Sequence, residues 1–186
     1  PRTPERDQEL ALTAGATDVW FPTYEEIYPA EIKLIDAGPI GELYEGAARP
    51  GHFAGVLTVV QRLFDLVKPD RAYFGEKDFQ QLFLIKKFTT GVEIVGLPTI
   101  RESDGLAMSS RNARLSPEDR SAATIIHRAL KSGTLDLSSE PRFKKDYAVV
   151  IDEETFEVAK SDTKQKRALI AGTIGGVRLI DNMVIA

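Results

Sequence analysis

The sequence predicts an α/β protein in which a parallel sheet is followed by a smaller, β-rich C-terminal region. Up to about residue 100, apolar segments typical of buried strands alternate with amphipathic segments typical of helices, which is the order of a parallel sheet. After Asn112 the pattern changes to one helical segment and then three β-rich segments. We therefore expect a domain boundary near residues 107–115, which divides the chain into regions 1–107 and 108–186.

The composition is that of an ordinary globular protein, and it argues against several functional classes. The 186 residues are 42% hydrophobic and carry a net charge of −4, which argues against a nucleic-acid-binding surface. Cysteine is absent and there are only two histidines, so disulfides, thiolate chemistry and a His-rich metal site are excluded. No apolar run reaches the roughly 18 residues of a membrane span, so we expect no membrane contact and a cytoplasmic location.

The N-terminal segment is predicted to contain one helix and two short strands. Thr3 is suited to cap the helix, Pro4 to occupy its first turn, and Gly15 to follow its end. Residues 18–21 and 32–35 have the apolar character of short strands, with a loop between them.

The clearest amphipathic pattern predicts a helix that ends before Pro69 and packs against a sheet. Its apolar positions recur at helical spacing and form one stripe. They are Phe53, Val56, Leu57, Val60, Leu63, Phe64 and Val67. The pattern then predicts a strand at 71–75, a helix at 79–88 and a strand at 92–100.

The C-terminal region is predicted to combine one helix with an antiparallel sheet. The helix begins at Ser116, a suitable cap before Pro117, and continues to Gly133. A polar loop at 134–146 follows. The β-rich segments are residues 147–151, 168–174 and 177–185.

The segment from Phe74 to Gln81 has the pattern of a strand, a tight turn and a helix start. A helix N-terminus offers free N–H groups and the positive end of a dipole, so it suits an anion. Lys77 adds a positive charge there, and Gln80 and Gln81 add amide groups that both donate and accept. The alternative is a purely structural turn between strand and helix that binds no ligand and whose charged side chains lie in solvent.

Two further segments carry groups that suit a phosphorylated ligand. In residues 45–53, Arg49 and His52 flank a Pro-Gly turn just before the amphipathic helix, although a structural turn fits equally well. In residues 101–112, Ser109 and Ser110 precede Arg111, whose guanidinium pairs well with phosphate oxygens. That segment also fits a simple domain linker. Walker and dinucleotide-binding glycine motifs are absent from the sequence.

His127 lies within the predicted C-terminal helix. We expect it to be a structural or surface residue rather than part of a site.

Taken together and in this order, these segments resemble the pantoate–β-alanine ligases, a family in the nucleotidyltransferase superfamily. The resemblance covers nearly the whole chain. The matching segments are Tyr28 with Pro29, then residues 45–53, 74–81, 104–112 and 178–182. It implies a Rossmann-like ATP domain, here apparently incomplete at its N-terminus, and a smaller α+β C-terminal lid.

The resemblance also implies an activity. Such ligases use ATP and Mg²⁺ to adenylate pantoate, after which β-alanine displaces AMP to give pantothenate. A homodimer is implied as well. The residue types fit this chemistry, because a carboxylate attacks the α-phosphorus with little need for a base and the protein mainly positions groups and stabilises charge. For the amine step no side chain stands out as a general base.

By position in the family pattern, the resemblance assigns two sets of residues. The ATP-binding set is Gly75, Glu76, Lys77, Asp78, Ile100, Met108, Ser109, Ser110 and Arg111. Within it, Lys77, Ser109, Ser110 and Arg111 are expected to hold the phosphates during adenylation, and the backbone of Ile100 to contact adenine. The pantoate set is Gln81, with Arg49 and His52 near the same pocket, and no residue is assigned to a metal.

The sequence departs from the family pattern in its first part. The His-x-Gly-His signature of the family is not present, and loops after Pro29, around residues 90–91 and between Lys131 and Lys145 are short. We expect the sequence to be part of a longer protein. Two other functions stay open: a non-catalytic nucleotide- or metabolite-binding remnant, and another adenylyl-transferring member of the superfamily.

The predicted sheet generates a test of stability. If strands that precede this sequence complete the sheet, apolar surface of helix 53–67 and strand 71–75 is exposed to water in the isolated chain. Each Å² of exposed apolar surface costs about 25 cal/mol of folding free energy. We expect chain 1–186 to show no cooperative thermal transition by circular dichroism unless a partner is added. A cooperative melt of the isolated chain would contradict this.

Overall fold

The computed structural model describes residues 3–185, which divide into two compact units. The first ends at Leu34 and the second begins at Ile35. The domain limits that we predict, 1–107 and 108–186, stay a prediction; the second unit contains most of both regions. Along the described chain, no helix combines the length and apolar character that crossing a membrane requires.

The first helix of the N-terminal unit, α1, spans Pro4–Thr13 and confirms the sequence-based expectation. The prediction that the side chain of Thr3 caps this helix is wrong. The hydroxyl of Thr3 bonds to the side chain of Asp7 (3.1 Å) and caps no backbone N–H. The helix is therefore begun by Pro4, whose fixed φ suits a first helical position.

A second helix, α2 (Tyr24–Ile27), lies where the sequence indicated a loop. It begins with a capping box, which the sequence analysis missed. The hydroxyl of Thr23 accepts the N–H of Glu26 (3.2 Å), and the Glu26 carboxylate accepts the N–H of Thr23 (2.7 Å). These two reciprocal bonds satisfy the donors that a helix start otherwise leaves free.

The strands predicted at residues 18–21 and 32–35 are wrong, since neither segment is extended in a sheet. A strand needs a neighbour that takes up its N–H and C=O groups. The strands of the described residues pair as one parallel couple and one antiparallel triplet that exclude both segments. Ile35 instead donates its N–H to the hydroxyl of Thr58 (2.9 Å).

The second unit begins with the elements around the parallel strand pair. They are α3 (Glu45–Ala48), α4 (His52–Val67), β1 (Arg71–Gly75), α5 (Phe79–Phe88) and β2 (Glu93–Leu97). β1 and β2 pair in parallel. This confirms the predicted order of strand, helix and strand, and with it the α/β class.

Helix α4 buries part of its apolar stripe against α5, whereas the sequence predicts packing against a sheet. Phe53 and Leu57 of α4 belong to one buried cluster with Leu84 of α5. Burial of such side chains removes apolar surface from water and fixes the two helices together. β2 ends at Leu97 rather than at the predicted residue 100, because the following Pro98 has no N–H for the ladder.

A single 3₁₀ turn, Glu76–Asp78, links the end of β1 to the start of α5. The predicted sequence of strand, tight turn and helix start is therefore confirmed. Because this turn follows the carboxyl end of a parallel strand, it lies where open α/β sheets carry their ligands.

The C-terminal part of the second unit packs two helices against an antiparallel sheet. Its elements are α6 (Pro117–Ala122), α7 (Ile125–Ser132), β3 (Lys144–Asp152), β4 (Lys166–Ile174) and β5 (Val177–Ile185). The strand order is β3-β4-β5. The predicted antiparallel element is confirmed, although β3 begins inside the segment expected to be a loop.

The helix predicted from Ser116 to Gly133 is divided into α6 and α7. Ser116 caps α6 as predicted, accepting the N–H of Asp119 (3.1 Å). The break follows from Thr124, whose hydroxyl donates to the carbonyl of Ser121 (2.7 Å) in competition with the helical hydrogen bonds.

A two-residue turn joins β4 to β5 and sets their register. Gly175 and Gly176 both have positive φ, +55° and +75°, which is the conformation of the tight hairpin turn that matches strand twist. Behind the sheet, α6 and α7 share a buried core with β4 and β5. β5 is therefore held firmly along its whole length, and its polar residues are fixed in position.

Candidate active site

Five of the residues predicted for the site, Asp78 among them, line one cavity in the second unit. The cavity has a volume of about 110 Å³ and lies among α4, the start of α5 and strand β5. Arg49, His52, Lys77 and Gln81 all contribute to its wall. The structure therefore brings these residues together around one concavity, and their role in binding an acid stays a prediction.

A second, much smaller cavity of about 10 Å³ adjoins the loop at 101–112. Ser109 and Arg111 line it, together with Arg178 of β5. Lys77 lines both cavities. The side chain of Lys77 is 22% exposed and lies 4.0 Å from the Asp78 carboxylate.

Four of the predicted ATP residues line neither cavity. Ile100 and Met108 are exposed, and the N–H of Met108 donates to the carbonyl of Ile100 (2.9 Å). Ser110 is exposed at the start of a 3₁₀ helix, Ser110–Arg114. Gly75 is exposed at the end of β1. Their predicted roles stay predictions.

Glu76 faces away from both cavities. Its carboxylate accepts from Arg167 (3.1 Å) and its backbone carbonyl accepts from the amide of Asn182 (2.8 Å). Any contact between Glu76 and ATP would therefore use its backbone N–H.

Two hydrogen bonds shape the loop at 101–112, one within the loop and one to strand β5. The hydroxyl oxygen of Ser109 accepts the N–H of Arg111 (3.2 Å) and so caps the 3₁₀ helix. The Arg111 guanidinium donates to the backbone carbonyl of Arg178 (3.5 Å). Ser109 and Arg111 thus line the cavity that Lys77 also lines, and their predicted phosphate role stays a prediction.

Arg49 and His52 form a pair at the edge of the larger cavity. A guanidinium nitrogen of Arg49 lies 2.8 Å from Nε2 of His52. Because a guanidinium only donates, Nε2 must accept, which leaves the proton of the neutral ring on Nδ1. Burial and the Arg49 charge lower the pKa of His52. The pair therefore presents one cation beside a neutral imidazole.

Glu45 connects this cavity to the C-terminal sheet. Its carboxylate accepts two hydrogen bonds from Arg178 (2.7 and 2.8 Å) and one from the hydroxyl of Tyr147 (2.8 Å). Burial alone would raise the pKa of Glu45, but the hydrogen bonds from Arg178 and Tyr147 outweigh it and lower the pKa. Burial, reinforced by the Glu45 carboxylate, raises the pKa of Tyr147. Glu45 is thus an ionised anchor between α3 and the strands β3 and β5.

The two neighbouring glutamines of α5 have different environments. Gln80 is buried, and its amide donates to the carbonyls of Ile40 and Leu43 (2.8 and 2.9 Å) and accepts the N–H of Glu45 (3.1 Å). It is therefore used to hold the chain ahead of α3. Gln81 is half-buried and lines the larger cavity, where a ligand can reach it.

His127 lies outside both cavities, against the loop that contains Gly105. A Cβ atom at Gly105 would stand only 2.1 Å from the ring of His127, so this close packing requires glycine. Burial is the main cause that lowers the pKa of His127. These contacts agree with the structural role that we expected.

Several residues that the structure brings to the site had no role assigned from the sequence. Glu45 and Tyr147 line the larger cavity, Arg178 lines the smaller one, and Asp181 lines both. Asn182 lines the larger cavity as well. A signal was present, since Asp-Asn is a polar pair inside the apolar segment that forms β5. Such a pair in a buried strand predicts buried hydrogen bonds.

The chain is similar in sequence to enzymes of one family over its whole length. A family model described as pantoate-beta-alanine ligase matches residues 1–184. The pantothenate synthetase of Thermus thermophilus is 42% identical over 208 aligned residues, covering 100% of this chain and 75% of the relative. That of Rubrobacter xylanophilus is 43% identical over 216, covering 100% and 74%. Both alignments exceed 186 residues, so these relatives contain segments that this chain lacks within the matched region.

Solved structures show the same similarity. The crystal structure of pantothenate synthetase from Thermus thermophilus superposes with a TM-score of 0.86 at 43% identity, covering 98% of this chain and 75% of that one. Pantoate-beta-alanine ligase from Francisella tularensis, complexed with beta-gamma ATP and beta-alanine, superposes with a TM-score of 0.77 at 32% identity. That match covers 99% of this chain and 70% of the other.

The Glu45 network generates a prediction about pH. A lowered pKa in the folded state stabilises the protein above the unfolded pKa of about 4.3, and this stabilisation is lost as pH falls through the folded pKa. Glu45→Gln should therefore lower the free energy of unfolding by about 1.5–3 kcal/mol at pH 7, and the loss should shrink below about pH 4. Urea unfolding across pH measures both.

The matched control is Glu93→Gln, which removes the carboxylate of an exposed ion pair with Arg71. Exposed pairs contribute about 0–1 kcal/mol, so this variant should differ little from the wild type. A Glu45→Gln effect that stays constant from about pH 7 to about pH 3 would contradict the assigned ionisation.

Proposed function

The chain belongs to the pantoate–β-alanine ligase family, and we propose that it condenses pantoate with β-alanine at the expense of ATP. In this reaction the carboxylate of pantoate attacks the α-phosphorus and pyrophosphate leaves, which gives pantoyl adenylate. The amine of β-alanine then attacks the acyl carbon and AMP leaves, which gives pantothenate.

The position of Lys77 is the observation that carries this proposal. This residue lines both the cavity that contains Gln81 and the one that contains Ser109 and Arg111. A cation lining both cavities is placed to stabilise charge at the point where a carboxylate in one cavity meets a phosphate in the other. Such preorganised charges are usually the largest contribution to catalysis.

We assign the nucleotide to the side of Lys77 that faces the loop at 101–112. Ser109 and Arg111 would hold the phosphates with Lys77, and Ser110 would join them when the loop closes over the ligand. The turn from Gly75 to Asp78 supplies backbone N–H groups. Ile100, just before this loop, is exposed, and its backbone would contact the adenine, while Met108 would belong to the loop that holds the triphosphate.

We assign the acid to the larger cavity. About 110 Å³ is well below the roughly 300–1,000 Å³ of pockets for larger organic ligands, which suits a small hydroxy acid. Gln81 offers an amide that donates and accepts, and Arg49 offers a guanidinium beside the neutral ring of His52. These groups match the hydroxyl and carboxylate groups of pantoate.

We also propose that Mg²⁺ binds together with the triphosphate of ATP. Among residues 3–185, no group of three or more acidic, histidine or cysteine side chains is arranged to hold a metal. Mg²⁺ in nucleotide enzymes is commonly held by phosphates with one or two carboxylates, and the half-exposed carboxylate of Asp78, which lines the larger cavity, fits that requirement. When bound, the ion would neutralise phosphate charge.

A homodimer, a cytoplasmic location and the absence of nucleic-acid partners stay predictions. The homodimer follows from the resemblance to the family, and sedimentation equilibrium of the purified protein tests it.

Pantoate-dependent exchange of labelled pyrophosphate into ATP tests the proposed function. It is measured with chain 1–186 and, in parallel, with the product of the complete gene. Exchange that requires pantoate supports the proposal. Exchange with another acid but not with pantoate would indicate a different adenylyl-transferring enzyme, and nucleotide binding without exchange would indicate a binding protein.

Lys77→Ala should reduce pantoate-dependent exchange by roughly 10²–10³-fold, because it removes a charge aimed at the reacting phosphate. Arg111→Ala should act in the same direction. The matched control is Lys86→Ala, which removes an exposed lysine of α5, the helix that follows the turn, away from both cavities. Wild-type exchange by the Lys77 variant would exclude its phosphate role.

Gln81→Ala should mainly raise the KM for pantoate, by roughly tenfold for one lost hydrogen bond. The KM for ATP should change little. Gln8→Ala, on the exposed surface of α1, is the control for handling and stability. An increase confined to the KM for ATP would indicate that Gln81 binds the nucleotide and not the acid.

A further inference from the structure

Strand β5 carries two adjacent buried polar residues, Asp181 and Asn182, each 3% exposed. Polar groups in such positions cost free energy unless they are hydrogen-bonded. Both side chains are hydrogen-bonded, and they contact different loops of the proposed nucleotide site.

The side chain of Asn182 holds the turn that carries Lys77. Its amide nitrogen donates to the carbonyls of Glu76 (2.8 Å) and Lys77 (2.9 Å). Its amide oxygen accepts from Arg167 (2.6 Å). Because carbonyls only accept and a guanidinium only donates, these partners fix the orientation of the amide.

Arg167 supports the same turn from behind. It is buried on β4, donates to the Glu76 carboxylate (3.1 Å) and pairs with Glu153. Its guanidinium also lies 4.1 Å from the ring centre of Phe79, the first residue of α5. The turn is therefore held through the backbone by Asn182 and through two side chains by Arg167.

Asp181 holds the loop at 101–112. Its carboxylate accepts two hydrogen bonds from Arg101 (2.6 and 3.0 Å). Arg101 also donates to the carbonyls of Gly105 (3.0 Å) and Asn182 (3.1 Å). This guanidinium thus ties the beginning of the loop to β5 at the residue next to Asn182.

We propose that Asp181 and Asn182 are positioning residues that set the spacing between Lys77 and the Ser109–Arg111 loop. The proposal rests on the proposed function, since it concerns the phosphate groups that these loops would hold. Asp181 and Asn182 are neighbours on β5, and each fixes one of the two loops. The distance between the loops is therefore set by this strand. Misplacement of a reacting group by about 1 Å can cost on the order of 10²-fold in rate.

Asn182→Asp is the most selective test. The aspartate has the same shape and retains an oxygen for Arg167, but it cannot donate to the carbonyls of Glu76 and Lys77. We expect kcat/KM for ATP in the exchange reaction to fall by roughly 10²-fold, with the KM for pantoate nearly unchanged.

A double-mutant cycle with Lys77→Ala separates positioning from general loss of stability. If Asn182 acts through Lys77, Asn182→Asp should reduce kcat/KM by less than about threefold once Lys77 is alanine, because interacting residues are not additive. The control is Ile174→Val, a buried change at the hairpin end of β4, where Ile174 pairs with Val177; it should have the same small effect in both backgrounds. Equal effects of Asn182→Asp in both backgrounds would overturn the proposal.

Amide hydrogen exchange gives a readout that does not depend on the reaction. In Asn182→Asp, the amides of residues 77–81 should exchange faster while those of α7 keep their protection. Unchanged protection at 77–81 would overturn the positioning role even in an active enzyme. If Asn182→Asp does not fold, Asn182→Ala is measured by the same criteria. Absence of pantoate-dependent exchange in the wild type would instead contradict the proposed function, and the amide measurement would still decide the positioning role.

Discussion

The hydrogen bonds from the buried amide of Asn182 to the carbonyls of Glu76 and Lys77 are the contact on which the site depends. They join the last strand of the chain to a turn more than a hundred residues earlier. A buried amide that loses its partners costs about 1–3 kcal/mol, so the fold strongly favours the state in which the turn and β5 are in contact. The orientation of Lys77 follows from that contact.

A second polar connection acts beside the first. The Glu45 carboxylate, held by Arg178 and Tyr147, binds the short helix α3 to β3 and β5. The larger cavity lies between these two connections and is lined by Glu45, Lys77 and Asn182. A pocket framed by ionised and hydrogen-bonded groups is costly to distort, which favours a site whose charges are already in place before the substrate arrives.

Local sequence signals identified most of the helices, because helical periodicity and proline stops are properties of short segments. Helix 79–88 and the stripe at 53–67 are examples. The same signals were wrong for the strands at 18–21 and 32–35, since a strand depends on a distant partner. For the proposed site, Lys77, Arg111 and Gln81 were assigned by motif and resemblance. The supports Asp181 and Asn182 were not assigned a role, because their partners are known only once the chain is folded.

In the proposed reaction, the carboxylate of an acid beside Gln81 reaches the α-phosphorus of ATP beside Lys77. Transfer of oxygen tests this most directly. Pantoate labelled with ¹⁸O in its carboxylate is incubated with ATP, β-alanine and the complete gene product, and the released nucleotide is analysed by mass spectrometry. We expect AMP that carries one ¹⁸O atom from the acid. Unlabelled nucleotide with ¹⁸O in inorganic phosphate would contradict the proposed reaction, because that result marks attack at the γ-phosphorus.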